Sequence, residues 1–157
     1  MDTEGILKLL KEHSVRFVVI GATAFPVHGY SQATLDIDIF IKPDIKNAEK
    51  TWNALKDFGY DVTEVEIDDL LTKKLLIRQY LVETDIHPFV KGASFEDVWK
   101  NRVRAKYGNT FVYFSSLDDL IKMKKAAARP QDMEDLKYLI RLKKMKGKRG
   151  RKQYHTG

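Results

Sequence analysis

The segment GYSQATLDIDIFIKP (residues 29–43) places two aspartates, Asp36 and Asp38, inside an apolar run that is typical of a β-strand. Side chains alternate between the two faces of a strand. One face then carries only aliphatic side chains, those of Leu35, Ile37, Ile39 and Ile41. The other face carries both aspartates and Phe40, and we expect it to meet water because a bare carboxylate in a core is costly.

Two carboxylates that point the same way from one strand lie about 7 Å apart at Cα. They are placed to converge on one divalent ion or to bracket two ions. Oxygen ligands of this kind suit Mg²⁺ or Mn²⁺ better than zinc. An ordinary half-exposed strand shows the same alternation, so this interpretation needs support from elsewhere in the chain.

Two further features supply that support. The apolar run RFVVI (16–20) is followed by Gly21-Ala22-Thr23, and a glycine where a strand meets a helix lets backbone N–H groups approach a phosphate. A third acid, Asp85, lies in the strand-like segment VETDIH (82–87), where Glu83 shares its face and is the alternative. Three carboxylates beside a phosphate cradle predict a two-metal phosphoryl-transfer site.

The remaining pattern predicts a mixed α/β (α+β) fold, with a central mixed sheet of about 4–6 strands flanked by helices and further helices at the C-terminal end. We expect strands over 16–20, 35–41, 60–67, 74–79 and 80–90, and a hairpin around Gly108–Asn109. We expect helices over 4–12, 46–57, 95–101 and 117–128, and a last helix capped by Asp132. Thr3, Asp44 and Ser116 are the expected N-caps of three of them.

Composition limits the class of protein. The 157 residues fit one domain, predicted over 1–142, followed by a basic tail over 143–157. Seven of the 28 Lys and Arg residues lie in this tail, and without them 21 basic side chains face 22 acidic ones. The absence of cysteine excludes disulfides and thiolate metal sites, and no apolar run is long enough for a membrane span. We expect a cytoplasmic protein.

Two separated runs in the sequence resemble a known family. The first comprises Gly21, Ala24, His28, Gly29, Thr34, Asp36 and Asp38, and the second Lys124, Arg129, Asp132 and Asp135. Together they resemble the nucleotidyltransferase superfamily, whose fold is shared with DNA polymerase beta, and most of all its bacterial stand-alone AbiEii-type toxins. Ala22, Gln32 and Gln131 stand where that group often has Gly or Ser, Arg and Lys.

The resemblance implies a Mg²⁺- or Mn²⁺-dependent enzyme that moves a nucleoside monophosphate from an NTP such as ATP to a hydroxyl acceptor, releasing pyrophosphate. It implies metal ligation and catalysis by Asp36, Asp38 and Asp85. Triphosphate binding falls to Gly21, Ala22, Thr23 and Lys124, with Lys125 as a rival to Lys124. Supporting roles fall to Thr34, Arg129 and Asp132. The acceptor is an RNA, a protein or a small molecule, and a toxin–antitoxin context would add a cognate partner protein.

Two alternatives stay open. Ala22 and Gln32 also fit a catalytically weak member that serves as a binding module for a protein or RNA. The basic tail alone fits an RNA-binding protein, or else an exposed helix end. His28 and His87 are interpreted as packing or hydrogen-bonding residues rather than ligands, and Trp52 and Trp99 as core residues.

Overall fold

The computed structural model of the protein describes residues 2–30, 36–80 and 83–155, with side chains to residue 147. Its α-helices are α1 (Thr3–Glu12), α2 (Ile45–Phe58), α3 (Asp69–Thr72), α4 (Phe95–Lys100), α5 (Leu117–Ala127) and α6 (Pro130–His155). A 3₁₀ helix spans Gly21–His28. The strands are β1 (Phe17–Ile20), β2 (Asp36–Ile41), β3 (Leu75–Ile77), β4 (Glu83–His87), β5 (Val103–Tyr107) and β6 (Thr110–Phe114).

All six strands form one mixed sheet in the order β3-β4-β2-β1-β6-β5. The central strand β1 runs antiparallel to β2 and parallel to β6, and β2 runs parallel to β4. The edge strands β3 and β5 pair antiparallel with β4 and β6. The expected mixed sheet with flanking and C-terminal helices is therefore confirmed.

Side-chain caps fix where the helices start. The Asp44 carboxylate accepts the N–H of Asn47 at 2.8 Å at the start of α2, and Ser116 does the same for Asp119 at 3.1 Å at the start of α5. Both caps were predicted. At α1 the prediction was wrong by one residue, because Asp2, not Thr3, accepts the N–H of Gly5.

The two faces of the sheet are covered unequally. The main core fills one face, where Ile37, Ile39 and Ile41 of β2 pack with residues of α1, α2, the 3₁₀ helix and α5. On the other face a smaller cluster joins Val18, Ile20 and Phe40 to Phe95 and Val98 of α4. Phe40 is therefore buried rather than wet as predicted, and only the end of β2 that carries Asp36 and Asp38 stays open.

The strand predicted over 60–67 does not form. Asp61 instead accepts both the N–H and the hydroxyl of Thr63, at 3.0 and 2.7 Å, in a side-chain turn that competes with strand pairing. The alternating apolar residues still pack inward, since Tyr60 and Val62 are buried and Trp52 donates its indole N–H to the carbonyl of Val65. The spacing of apolar residues in this segment therefore reflects burial of their side chains and not pairing of a strand.

Three boundaries also differ from expectation. The described parts of the predicted strands 74–79 and 80–90 are shorter, at Leu75–Ile77 and Glu83–His87. Asp132 lies inside the first turn of α6 rather than at its N-cap, and accepts the N–H of Arg129 at 3.1 Å. Helix α6 spans residue 142, and the division of the chain into a domain over 1–142 and a basic tail stays a prediction.

Candidate active site

Parallel pairing of β2 with β4 brings the strand acids together. Asp36 lies beside Glu83, and Asp38 lies beside Asp85. Neighbours in register point to the same face of a sheet. The four carboxylates therefore share the open face, as predicted for Asp36, Asp38 and Asp85.

The tightest group at this site consists of Asp38, Asp85 and His87. One ligand atom from each lies within 4.8 Å of the others. His87 donates its Nε2–H to Oδ1 of Asp38 at 2.8 Å. Asp36 lies two residues before Asp38 on β2, beside Glu83, and is not one of these three.

His87 is the member of the site that the sequence analysis did not select. It was expected to form hydrogen bonds, and it does, but with a candidate metal ligand rather than with the core. The signal was present in the sequence, because Asp85 and His87 alternate on β4 as Asp36 and Asp38 do on β2.

Cations from the sheet edge neutralise part of this charge. Arg78, which follows β3, donates from Nη1 to Asp85 at 2.7 Å and lies 3.4 Å from Glu83, while Lys74 lies 3.8 Å from Asp85. The hydrogen bond to Asp85 raises the pKa of Arg78. The pKa of Glu83 is also raised, first by a hydrogen bond that its protonated form donates to Asp36 and then by burial.

The turn at Gly21 approaches the acids closely. Gly21 has φ +69°, and a Cβ at this position would lie 2.6 Å from Oδ2 of Asp38. Only glycine fits this position without strain or displacement of that carboxylate. Gly21 and Ala22 line a cavity beside the strand acids, as a phosphate-binding turn requires.

Thr23 is placed differently from its expected role. Its side chain is buried, and its hydroxyl donates to the backbone carbonyl of Asp36 at 3.0 Å. This bond ties the 3₁₀ helix to the start of β2. Thr23 thereby positions the strand that carries the acids, and its contact with a phosphate stays a prediction.

The facing wall of the cavity is an ion network between α5 and α6. Lys124 donates to Asp132 at 3.0 Å and to Asp135 at 3.2 Å. Arg129 adds a bond from Nε to Asp132 at 2.6 Å, and Gln131 donates to Asp135. The hydrogen bonds from Arg129, and then those from Lys124, hold the pKa of Asp132 far below its usual value.

A cavity of about 620 Å³ separates the two walls. Its apolar lining includes Phe89 and Met123, and its polar lining includes Asp36, Asp38, His87, Lys124 and Arg129. The volume is typical of small-molecule sites, and the lining is rich in charged side chains of both signs.

The other selected residues lie outside this centre. Thr34, and Gln32 with it, fall outside the described residues. His28 is buried, where it donates to the carbonyl of Ser115 at 2.8 Å and accepts from Lys146 at 3.2 Å, and burial lowers its pKa. Trp52 and Trp99, predicted to be core residues, are half-buried and pack against the outside of the two cores.

Comparison with known proteins agrees with this geometry. Within the described part of the chain, no helix is long and apolar enough to cross a bilayer. No curated protein matches the sequence. Residues 3–145 match a family described as a nucleotidyltransferase of unknown function (DUF6036), which supports the superfamily but does not name the AbiEii-type group. The chain belongs to this nucleotidyltransferase family.

Proposed function

We propose that the protein is a metal-dependent nucleotidyltransferase that moves a nucleoside monophosphate from an NTP to a hydroxyl acceptor and releases pyrophosphate. The observation that carries the proposal is the group formed by Asp38, Asp85 and His87 beside the Gly21 turn. Membership of a nucleotidyltransferase family supports it independently.

The donor set fits a divalent ion. Asp38 and Asp85 offer the hard oxygen ligands that Mg²⁺ and Mn²⁺ take, and Asp36, two residues away on the same face of β2, is a further carboxylate. The Nε2–H of His87 donates to Asp38, so His87 would orient a carboxylate ligand through that nitrogen. A bound ion would supply positive charge that offsets the charge of the phosphates.

The protein's own groups then position the reactants. Gly21 and Ala22 line the cavity at the start of the 3₁₀ helix, and their backbone N–H groups are assigned to triphosphate oxygens, without the hydroxyl that a serine would add. Lys124 lies across the cavity as a point charge for the same phosphates, and Arg129 and Asp132 hold it there.

Proton removal from the acceptor hydroxyl is assigned to Asp85, the most buried of the strand acids. Asp38 receives a hydrogen bond from His87, which fixes its orientation toward the same point. Because these groups stand on paired strands, the geometry is rigid and most of the catalysis comes from positioning and electrostatics.

A pyrophosphate-release assay tests this function. Each of the four NTPs is supplied with Mg²⁺ or Mn²⁺ and with RNA, protein and small-hydroxyl acceptors. We expect release that depends on the metal and is lost in the variant Asp36→Asn/Asp38→Asn. Release that persists in this variant at the wild-type rate would rule out the role of the strand acids.

A second candidate function is a catalytically weak binding module for a protein or RNA partner. The observation that favours it is that Asp85 already has two cationic partners, Arg78 and Lys74. Calorimetric titration with NTP and Mn²⁺ separates the two candidates. Binding of both supports the transferase, and binding of neither supports the module.

A further inference from the structure

The hairpin β5–β6 carries a surface in which cations and aromatic rings alternate. Its register places Arg104 opposite Tyr113 and Lys106 opposite Phe111. Directly opposite residues share a face of the sheet. The inward residues of the same strands, including Val112 and Phe114, belong to the main core, so the alternating set faces outward.

Rings and cations in this surface are in direct contact. The Arg102 guanidinium lies 3.9 Å from the ring centroid of Trp99 and 4.6 Å from that of Tyr113. Arg104 lies 3.8 Å from the centroid of Phe111. Stacking of this kind fixes a guanidinium plane, and in Arg102 a further hydrogen bond from Nη1 to the Trp99 carbonyl at 2.7 Å holds it in place.

In the described part of the chain, the cations of this surface have no ion-pair partner. The set consists of Lys11, Arg16, Arg102, Arg104 and Lys106, and Arg16 also reaches Trp99, at 5.9 Å. Among the residues that the structure describes, none of the five forms a salt bridge. Their charge is therefore uncompensated, although the predicted domain without its tail is close to neutral.

A narrow cavity lies beside the aromatic rings, where β1 and β6 separate. Strands β1 and β6 pair only at Val19 and Phe114, and toward the start of β1 they separate. A cavity of about 170 Å³ lies between them. Its lining comprises Lys11, Val15, Phe17, Trp99, Arg104, Phe111, Val112 and Tyr113.

The surface lies on the same face of the sheet as the strand acids. Val19 and its partner Phe114 point into the main core, so Tyr113 points to the face of Val18, Ile20 and Asp38. Two strand spacings, roughly 10 Å, separate β6 from β2 across that face.

We propose that this surface, formed by Arg16, Trp99, Arg102 and the outward face of β5–β6, binds single-stranded nucleic acid. Uncompensated cations attract the phosphates, and aromatic and guanidinium planes accept unpaired bases by stacking. A duplex keeps its bases inside and gains only from the cations, so it binds more weakly. The proposal concerns binding alone and does not depend on transfer activity.

Fluorescence anisotropy with labelled oligo(U), oligo(dT) and a duplex tests it, each probe about 12 nucleotides long. The test variant is Arg16→Ala/Arg104→Ala/Lys106→Ala, which leaves the half-buried Arg102 in place. The matched control, Lys8→Ala/Lys56→Ala/Lys122→Ala, removes the same charge from exposed positions elsewhere. Thermal melts establish that both variants are folded.

We expect the test variant to bind single strands at least tenfold more weakly than the control. The slope of log K against log salt concentration should fall by about 2, since each lost phosphate contact on a single strand contributes about 0.7. The variant Phe111→Leu/Tyr113→Leu keeps every charge, and we expect it to lose about tenfold because stacking is removed. Binding of either single strand supports the proposal, and the preferred strand identifies the sugar.

Three outcomes would overturn it: no binding of either single strand at low salt, equal affinities in the test and control variants, or a duplex bound as tightly as the single strands. A variant with Lys148, Arg149, Arg151 and Lys152 changed to Gln tests the competing site in the tail. If that variant loses binding and the hairpin variant does not, the site lies in the tail.

Discussion

Two sets of carboxylates lie beside the same cavity, in different surroundings. Asp132 and Asp135 on α6 are only 1% and 3% exposed, and their cations lie on the same helix segment or on the adjacent helix α5. Asp36, Asp38, Glu83 and Asp85 lie on paired strands, where each has another acid as its direct neighbour.

The difference separates stability from function. Like charges directly opposite on a sheet are destabilising, so the arrangement on β2 and β4 costs folding free energy. The helix pair is neutralised by Lys124 and Arg129 and gains from it. Local rules broken at one place in an otherwise consistent fold are typical of a functional site. The strand acids should therefore matter for activity and the helix acids for stability.

The sharpest test of this contrast is Asp38→Asn. We expect transfer activity to fall at least about 100-fold, as when an electrostatic group of an active site is removed. Stability should stay the same or rise, because a like-charge contact with Asp85 is relieved. Pyrophosphate release and urea unfolding measure the two effects.

Asp68→Asn is the matched control for this change, since Asp68 is exposed and does not line the cavity. It should leave both measurements unchanged. A large loss of stability in Asp38→Asn would mean that the strand acids are structural after all and would break the contrast.

The opposite outcome is expected for Asp132→Asn. The change removes the carboxylate that pairs with Arg129 and leaves Lys124 with Asp135 alone, and we expect a loss of about 1–3 kcal/mol in the free energy of unfolding. Asp118→Asn is the control, because its exposed ion pair with Lys143 should contribute less than about 1 kcal/mol. Urea unfolding at neutral pH checks both.

The pH dependence follows from the same residue. The pKa of Asp132 is lower in the folded state than its usual 3.8, so the unfolded state takes up its proton first as the pH falls. Its contribution to stability is full above pH 4 and is lost as the pH falls through the folded-state pKa. The unfolding free energy of the wild type should therefore fall more steeply below pH 4 than that of Asp132→Asn.

Gly21→Ala tests how closely the turn must approach the strand acids. The added Cβ would lie 2.6 Å from Oδ2 of Asp38, in a left-handed backbone conformation. We expect the free energy of unfolding to fall by about 1–2 kcal/mol, and transfer activity to fall because Asp38 is displaced. Gly147→Ala is the control, because nothing lies within 4 Å of its Cβ. That helix substitution should stabilise the protein by at most about 1 kcal/mol.

Local periodicity explains what the sequence could predict. The alternation around Asp36 and Asp38, the turn at Gly21 and the caps at Asp44 and Ser116 depend on residues a few positions apart. Each of these was recognised from sequence and is present in the structure.

Features that depend on strand order were missed. The role of His87 arises only because β4 pairs with β2, and the ion pairs of Arg78 and Lys74 arise because β3 is the next strand outward. The order of the strands in the sheet cannot be predicted from the residues of any one strand. The strand predicted at 60–67 was wrong for a local reason. The segment alternates like a strand, but Asp61 and Thr63 form a turn within it.

Arg78→Gln has the smallest expected effect. It tests whether the cation beside the strand acids weakens metal binding. Arg78 holds Asp85 at 2.7 Å, so it competes with any divalent ion for that carboxylate. Because removing a nearby positive charge favours cation binding, we expect Mn²⁺ to bind roughly threefold to tenfold more tightly. Titration calorimetry measures the change, with Lys73→Gln as the control, because Lys73 pairs with Asp69 outside the cavity. Weaker Mn²⁺ binding in Arg78→Gln would show that Arg78 orients Asp85 for the ion instead of competing with it.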